Sequence, residues 1–269
     1  MDEAKYIKMI KNNPYILEHI KNPTDTMKLL AVKQNGFTLQ YIEHPTKEMQ
    51  ELAINNTARA IQFIHNPPKD LLIKAINNSW NNLEYIKNPS DELIELAINQ
   101  SGWAIKYVHN PSEKLQLLAV RKNYDSLKYV KDPCKKAQEE AVKIDYEALR
   151  YISSPTPQAE FIAVKNNEQA IRFIPHLDKN KVLEFLKINI LVITYIPKGI
   201  ALSTEELEQT LKEALSSEAV EEKYVRDYIN CNAIGENNDI LAIDKLMLIY
   251  QYGSKKAKKI AVDEKLKFR

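Results

Sequence analysis

The fold is decided by residues 88–111, which read NPSDELIELAINQSGWAIKYVHNP. Ser90 is a good N-cap residue, and two acidic residues follow it in the first turn, where the helix dipole favours negative charge. Apolar residues then recur at helical spacing from Leu93 to Ala97, so one face is apolar. The sequence therefore predicts a helix that begins at Ser90 and ends near Gln100.

The second half of the same stretch predicts a shorter helix. Ser101 and Gly102 are expected to end the first helix, because glycine tolerates the left-handed conformation that is common at helix ends. Trp103 to Val108 then provide about two helical turns. This helix is expected to end at Asn110, because a residue before a proline is pushed out of the helical region.

The same pattern recurs every 22 residues, with four classes of position kept in step. The alanine class, each member followed by Ile or Val, contains Ala31, Ala53, Ala75, Ala97, Ala119, Ala141 and Ala163. The proline class contains Pro23, Pro45, Pro67, Pro89, Pro111, Pro133 and Pro155. The aromatic class contains Tyr41, Phe63, Tyr85, Tyr107, Tyr129, Tyr151, Phe173 and Tyr195, and an aliphatic residue lies two positions before each aromatic. Such short two-helix units bury their apolar faces only by stacking on one another. The sequence therefore predicts an all-α fold, an α-solenoid with a right-handed superhelix of about eight to nine 22-residue repeats.

The limits of the repeat predict three regions. Residues 1–13 are expected to form an N-terminal cap helix, residues 14–200 the tandem repeats, and residues 201–269 a C-terminal helical cap or bundle with a basic tail. The most apolar segment of the last region, residues 238–252, is expected to pack on the final repeats, because the ends of a solenoid must be covered.

Two other repeated positions were interpreted structurally. The aromatic class is expected to pack in the core or between repeats, with a ladder that stacks on a ligand as the alternative. Asn55, Asn77 and Asn99 are expected to cap helix ends and to form hydrogen bonds between repeats.

The composition excludes several classes of protein. The net charge is only +2, and no run of 18 apolar residues could span a membrane. The two cysteines have no zinc-type spacing, which argues for a reducing compartment. The charged N-terminus has no apolar signal core, so a cytoplasmic location is expected.

The repeats resemble those of the leucine-rich repeat variant family, whose motif also runs from a proline through a Leu-x-x-Leu-Ala helix to a second short helix. They are similarly close to short two-helix repeat domains of unknown function in bacteria and large DNA viruses. The resemblance covers about residues 14–199 and rests on segments such as residues 88–111. It implies an α-solenoid whose shorter helices line the inner surface, and it implies no enzymatic activity, although the arginine-bearing second helix of that family is not reproduced here.

No catalytic or metal-binding motif is recognisable, so the sequence predicts neither an enzyme, nor a metal site, nor a cofactor. His65 and His109 lie at one repeat position two repeats apart, which places them about 20 Å from each other and too far to share a metal ion. Cys134 lies at a helix start where the neighbouring repeats have Ser or Thr, and it is interpreted as a poor capping residue.

Two ladders of positions become basic together in the second half of the chain. The first ladder, just before the aromatic class, reads Gln40, Gln62 and Glu84 and then Lys106, Lys128, Arg150 and Arg172. The second ladder, at the end of the longer helix, reads Lys33, Asn55, Asn77 and Asn99 and then Arg121, Lys143, Lys165 and Lys187. Residues 101–200 carry 16 basic and 11 acidic residues, whereas residues 1–100 carry 11 and 12.

These ladders predict a binding surface of one of two kinds. The leading hypothesis is a non-enzymatic protein–protein interaction scaffold that binds a partner with an acidic surface along its concave inner face. The alternative is a nucleic-acid binder that uses the same stripe on an RNA or DNA backbone. A third interpretation is a solvated face whose charges are neutralised by acidic neighbours such as Glu139 and Glu147.

The C-terminal region predicts a second contact. Residues 253–269 hold 7 basic and 2 acidic residues, whereas residues 203–252 hold 4 and 11. The tail patch, defined as Lys255, Lys256, Lys258 and Lys259, is predicted to dock an acidic partner, and the alternative is a solvated face.

Overall fold

The computed structural model describes residues 3–235 and 243–266, and within these ranges helices are the only regular secondary structure. They contain thirteen α-helices and nine six-residue 3-10 helices, labelled η, and no strand. The predicted all-α repeat fold is confirmed, because nearly all the helices pack on neighbours in the repeat order.

The α-helices are α1 Glu3–Asn12, α2 Asp25–Gln34, α3 Lys47–Asn56, α4 Lys69–Asn78, α5 Asp91–Gln100, α6 Glu113–Lys122, α7 Lys135–Ile144, α8 Pro157–Asn166, α9 Lys179–Ile188, α10 Thr204–Ser216, α11 Glu222–Asn230, α12 Lys245–Tyr252 and α13 Lys255–Leu266. The 3-10 helices are η1 Pro14–His19, η2 Gly36–Tyr41, η3 Ala58–Phe63, η4 Trp80–Tyr85, η5 Gly102–Tyr107, η6 Tyr124–Tyr129, η7 Tyr146–Tyr151, η8 Glu168–Phe173 and η9 Ile190–Tyr195.

Each repeat consists of one ten-residue α-helix followed by one η-helix. The predicted shorter helix is therefore present, and it is of the 3-10 type, with two turns closed by i to i−3 hydrogen bonds. The residues expected to form an N-terminal cap helix hold α1, and η1 follows it in the same order as in later repeats.

Short polar side chains define where the helices begin. The hydroxyl of Thr24 accepts a hydrogen bond from the backbone N–H of Met27 at the start of α2. Asn35, in extended backbone between α2 and η2, accepts one from the N–H of Phe37. Such caps occupy N–H groups that a helix cannot pair internally. The same two positions are used in several other repeats, which fixes the α–η boundary in the sequence.

The joints between several repeats use a left-handed residue. Asn66, Asn88 and Asn110 have φ values of 49°, and Asn22 has a φ of 62°. Asparagine is among the few residues with a side chain that tolerate this region, and a proline follows each of them here. The shorter helix ends before the proline, as predicted, and the residue that precedes the proline has a left-handed backbone conformation.

The core runs through small and aliphatic positions of every repeat. All seven members of the alanine class have no exposed surface, and the Ile and Val residues that follow them are buried as well. A methyl side chain at this position allows neighbouring helices to approach closely.

The chain divides into two compact units, one up to Val130 and one from Lys131. The second unit contains repeats from α7 to η9 together with α10–α13. Within it, α10 packs against α9 and α11 packs against η9. The phenol of Tyr224 in α11 is buried and donates a hydrogen bond to the carbonyl oxygen of Leu186, at 2.9 Å. Burial raises the pKa of Tyr224 far above the ordinary range, so this donor stays protonated.

The segment expected to cover the last repeats is placed differently. Residues 238–242 of that segment lie outside the described residues, and the remainder forms α12. This helix packs against α10, α13 and α11, whereas α10 and α11 form the main packing on the last repeat. Its two buried side chains, Leu248 and Ile249, therefore contribute to the C-terminal bundle and not to the cover of the last repeat.

None of the described helices combines the length and apolar character that crossing a bilayer requires, and the longest, α10, has 13 residues.

Candidate functional site

In the first compact unit, the first ladder forms a surface of stacked cations and rings. The ammonium of Lys106 lies 5.1 Å from the ring centroid of Trp80 and 4.6 Å from that of Tyr107. The ammonium of Lys128 lies 5.1 Å from the centroids of both Trp103 and Tyr129. A cation over an aromatic face is attracted by the ring quadrupole, so each lysine is held against two rings. A hydrogen bond with the phenol of Tyr107 raises the pKa of Lys106, which keeps the group charged.

A carboxylate links two neighbouring η-helices of this surface. Asp125 accepts hydrogen bonds from the indole N–H of Trp103 and from the ammonium of Lys128, each at 2.7 Å. Although burial raises it, these hydrogen bonds hold the pKa of Asp125 below its ordinary value. Asp125 therefore orients an exposed tryptophan, and it neutralises one member of the first ladder.

In the second compact unit, the first ladder consists of two arginines on rings. The guanidinium carbon of Arg150 lies 5.4 Å from the ring centroid of Phe173, and that of Arg172 lies 4.7 Å from the centroid of Tyr195. Arg150 also lies 3.5 Å from a carboxylate oxygen of Glu147. Within the described residues Arg172 forms no ion pair. An acidic neighbour therefore neutralises Arg150, as one interpretation of the ladder predicted, whereas no described carboxylate neutralises Arg172.

The aromatic class lies between repeats, which is one of the two structural placements predicted for it. Its members are half-buried, except Tyr129, which is 42% exposed. Four of them, Tyr41, Phe63, Tyr107 and Phe173, contact rings of neighbouring repeats, as Tyr15 and Tyr41 do edge to face at a centroid distance of 6.4 Å. The aromatic class thus packs between repeats, and its outer surface stays open. The core position is the aliphatic residue two places earlier, because the η-helix turns that side chain inwards.

The second ladder lies at the ends of the α-helices, and its four basic members in the second half of the chain have two kinds of surroundings. Arg121 and Lys143 are exposed on the last turns of α6 and α7. Lys165 forms an ion pair with Glu221, just before α11. Lys187 lies 2.8 Å from both Glu184 in its own helix and Glu213 in α10, and these hydrogen bonds raise its pKa. The last two members of the second ladder therefore help to hold the C-terminal helices.

The tail patch lies at the start of α13, and all four lysines are exposed. Lys258 lies over the ring of Tyr250 in α12, at 6.0 Å from the centroid. The patch therefore adjoins an exposed aromatic side chain that the sequence analysis did not connect with it.

Two groups of residues were missed by the sequence analysis. Arg59 lies over the ring of Tyr85 at 4.9 Å, although it belongs to neither ladder. The hydrogen bonds between repeats come from amides near Asn55 and Asn99: Asn56 donates to the carbonyl oxygen of Lys33, and Gln100 to that of Ile76. The signal was a run of amide residues at the helix end, and only three-dimensional packing decides which of them points to the neighbouring repeat.

Within the described ranges, no group of three His, Cys, Asp or Glu side chains is arranged to hold a metal ion. No family model, curated protein or solved structure matches the chain. The resemblance to the leucine-rich repeat variant family therefore stays a prediction from the repeat pattern.

Proposed function

We propose that this protein is a non-enzymatic scaffold that binds a partner protein with an acidic surface. In each compact unit, the contact surface is the face of the η-helices that carries the first-ladder residues of that unit. The observation that carries this proposal is the pairing of each basic side chain with an aromatic ring. Arginine, tyrosine and tryptophan are enriched among the residues that contribute most of the binding energy of protein interfaces.

Pre-organisation supports the same function. Arg172 lies against Tyr195 in the unbound chain, so part of the entropy cost of ordering this long side chain has already been met. The guanidinium keeps its hydrogen-bond donors, which match the geometry of a carboxylate in the partner.

The test is charge reversal in the second compact unit. The double variant Arg150→Glu and Arg172→Glu should reduce partner recovery from nuclease-treated native extract by about tenfold or more, while thermal stability changes little. The matched control is Lys131→Glu with Lys135→Glu, which changes the charge equally at exposed positions of the same unit. Undiminished recovery with the ladder variant would refute this location of the site.

A second candidate function, binding of single-stranded nucleic acid, is favoured by the open aromatic rings. Trp103 is 39% exposed and has a ladder lysine against it, and proteins that bind single strands combine basic grooves with aromatic surfaces on which bases stack. This candidate requires that a labelled oligonucleotide binds with an affinity that falls steeply as salt rises. Trp103→Ala should then weaken binding more than Lys131→Glu does, because Lys131 belongs to neither ladder. Absence of binding at low salt would exclude it.

A further inference from the structure

The exposed apolar surface of this protein is concentrated on its last two described helices. Tyr250 in α12 is 74% exposed, and Val262 and Leu266 in α13 are 58% and 57% exposed. Leu246, Met247 and Tyr252 in α12 are exposed as well. Leu246, Tyr250, Val262 and Leu266 of this set lie together in one patch, and an exposed apolar patch of this kind marks an interaction surface.

Part of this patch forms a groove between α12 and α13. Its volume is about 410 Å³, and its apolar lining consists of Leu246, Ile249, Tyr250, Ala261, Val262 and Leu266. The two charged side chains in the lining are Lys258 and Lys265, both basic. The groove is therefore apolar inside, and its charged groups have a single sign.

The two helices that form the groove are held from behind by polar contacts. Glu264, on the buried side of α13, forms an ion pair with Arg226 in α11 and accepts a hydrogen bond from Asn230 at 3.1 Å. Lys245, at the start of α12, donates to the carbonyl oxygens of Ile229 and Cys231 at 2.9 and 2.6 Å. Among the described residues these contacts lie away from the groove, so the groove is formed in the unbound chain.

We propose that this groove binds an amphipathic helix with acidic flanks from another protein. The apolar lining would receive side chains spaced three and four residues apart, which is how a helix enters a hydrophobic groove. Lys258 and Lys265, together with the rest of the tail patch, would pair with Asp and Glu beside that apolar face. This surface shares no residue with the first ladder, so the inference goes beyond the proposed function and does not depend on it.

Charge and shape select this occupant over two others. A second copy of the chain would place the same basic rim against itself, and opposed like charges disfavour such a contact. A groove with the buried Ile249 and Ala261 in its lining fits the apolar ridge of a helix, whereas a membrane surface offers no such ridge.

The test uses the full chain and a labelled synthetic helix of about 16 residues, made of leucine, alanine and glutamate with leucines three and four residues apart. We expect saturable binding in fluorescence anisotropy, and about tenfold weaker binding by Leu246→Ser and by the double variant Lys258→Glu with Lys265→Glu. Met247→Ser is the matched control, because Met247 is exposed on the same helix and does not line the groove.

Three results would overturn the proposal. The first is equal binding of a peptide in which lysine replaces every glutamate. The second is sedimentation of the chain with phosphatidylcholine–phosphatidylserine vesicles but no peptide binding, which would assign the patch to a lipid surface. The third is a concentration-dependent dimer that Leu246→Ser dissociates, which would assign the groove to a second copy.

Discussion

Gly102 lies where the backbone of η5 meets the end of α6 in the next repeat. A Cβ atom at this position would lie 3.0 Å from the carbonyl carbon of Ala119, and closer still to its oxygen. The N–H of Gly102 donates to the side chain of Asn123 at 2.9 Å, so the contact is also hydrogen-bonded. The expected left-handed conformation is wrong, because no glycine in the described residues has a positive φ. The extended backbone of Ser101 ends α5, and glycine is present because a neighbouring backbone approaches it.

We therefore expect Gly102→Ala to destabilise the protein by about 1–3 kcal/mol, the usual cost of forcing extra atoms into a packed site. Urea unfolding of the two proteins measures this difference. Gly199→Ala is the matched control, because no atom lies within 4 Å of the corresponding Cβ position. Equal stability of the two alanine variants would contradict the close approach at Gly102.

Asp125 predicts a pH dependence of stability. Its pKa is lowered in the folded state, so its contribution to stability is present above the unfolded pKa of about 4 and is lost as the pH falls through the folded pKa. The wild-type protein should exceed Asp125→Asn in unfolding free energy near neutral pH, and the difference should shrink below about pH 4. Urea titrations across this range test the prediction, and a difference that stays constant with pH would contradict it.

At the scale of helices, a buried carboxylate joins α13 to α11. Glu264 is buried among polar partners, whereas Asp263 beside it is exposed on the same helix. A buried hydrogen bond to a charged group contributes about 1.5–3 kcal/mol, and loss of the Glu264 charge would leave Arg226 with its ion pair to Glu222.

We therefore expect Glu264→Gln to reduce the unfolding free energy by about 2 kcal/mol, while Asp263→Asn leaves it nearly unchanged. Chemical denaturation of both variants provides the measurement. A comparable loss in both variants would show that net charge, and not the buried contact, matters at this end of the chain.

The helices also show which features the sequence could predict. The alanine class and the capping residues predicted the order and bounds of the repeats, because burial and capping impose the same residue at every 22nd position. No residue repeated in the sequence indicates that the shorter helix is of the 3-10 type. The ion pairs of Lys165 and Lys187 with Glu221 and Glu213 join the repeats to helices that have no repeat, so periodicity could not reveal them. The first ladder was predicted residue by residue, whereas its contact with the rings depends on side-chain direction.

At the scale of the whole molecule, contacts connect elements that are close in the sequence. Each η-helix packs on the α-helix before it, and η1 to η5 and η7 also pack on the α-helix after them. A stack of this kind loses stability locally, because every repeat is supported by its neighbours alone.

Hydrogen exchange should therefore respond regionally to the two destabilising variants. Gly102→Ala should accelerate exchange in α5 and α6, which border the altered contact, and leave α11 and α13 close to wild type. Glu264→Gln should accelerate exchange in α11 and α13 and leave α5 and α6 close to wild type. Uniform acceleration along the chain in either variant would contradict local support and indicate a single cooperative unit.

The amide contacts between repeats give the stack a direction. Gln100 in α5 donates to the carbonyl oxygen of Ile76 in α4, and Asn189 after α9 donates to that of Val164 in α8. In both cases the later repeat supplies the donor and the earlier repeat the acceptor, so these carbonyl oxygens are paired by the repeat that follows them. During synthesis, the same carbonyl oxygens of a newly made repeat therefore depend on water until the next repeat supplies its amide.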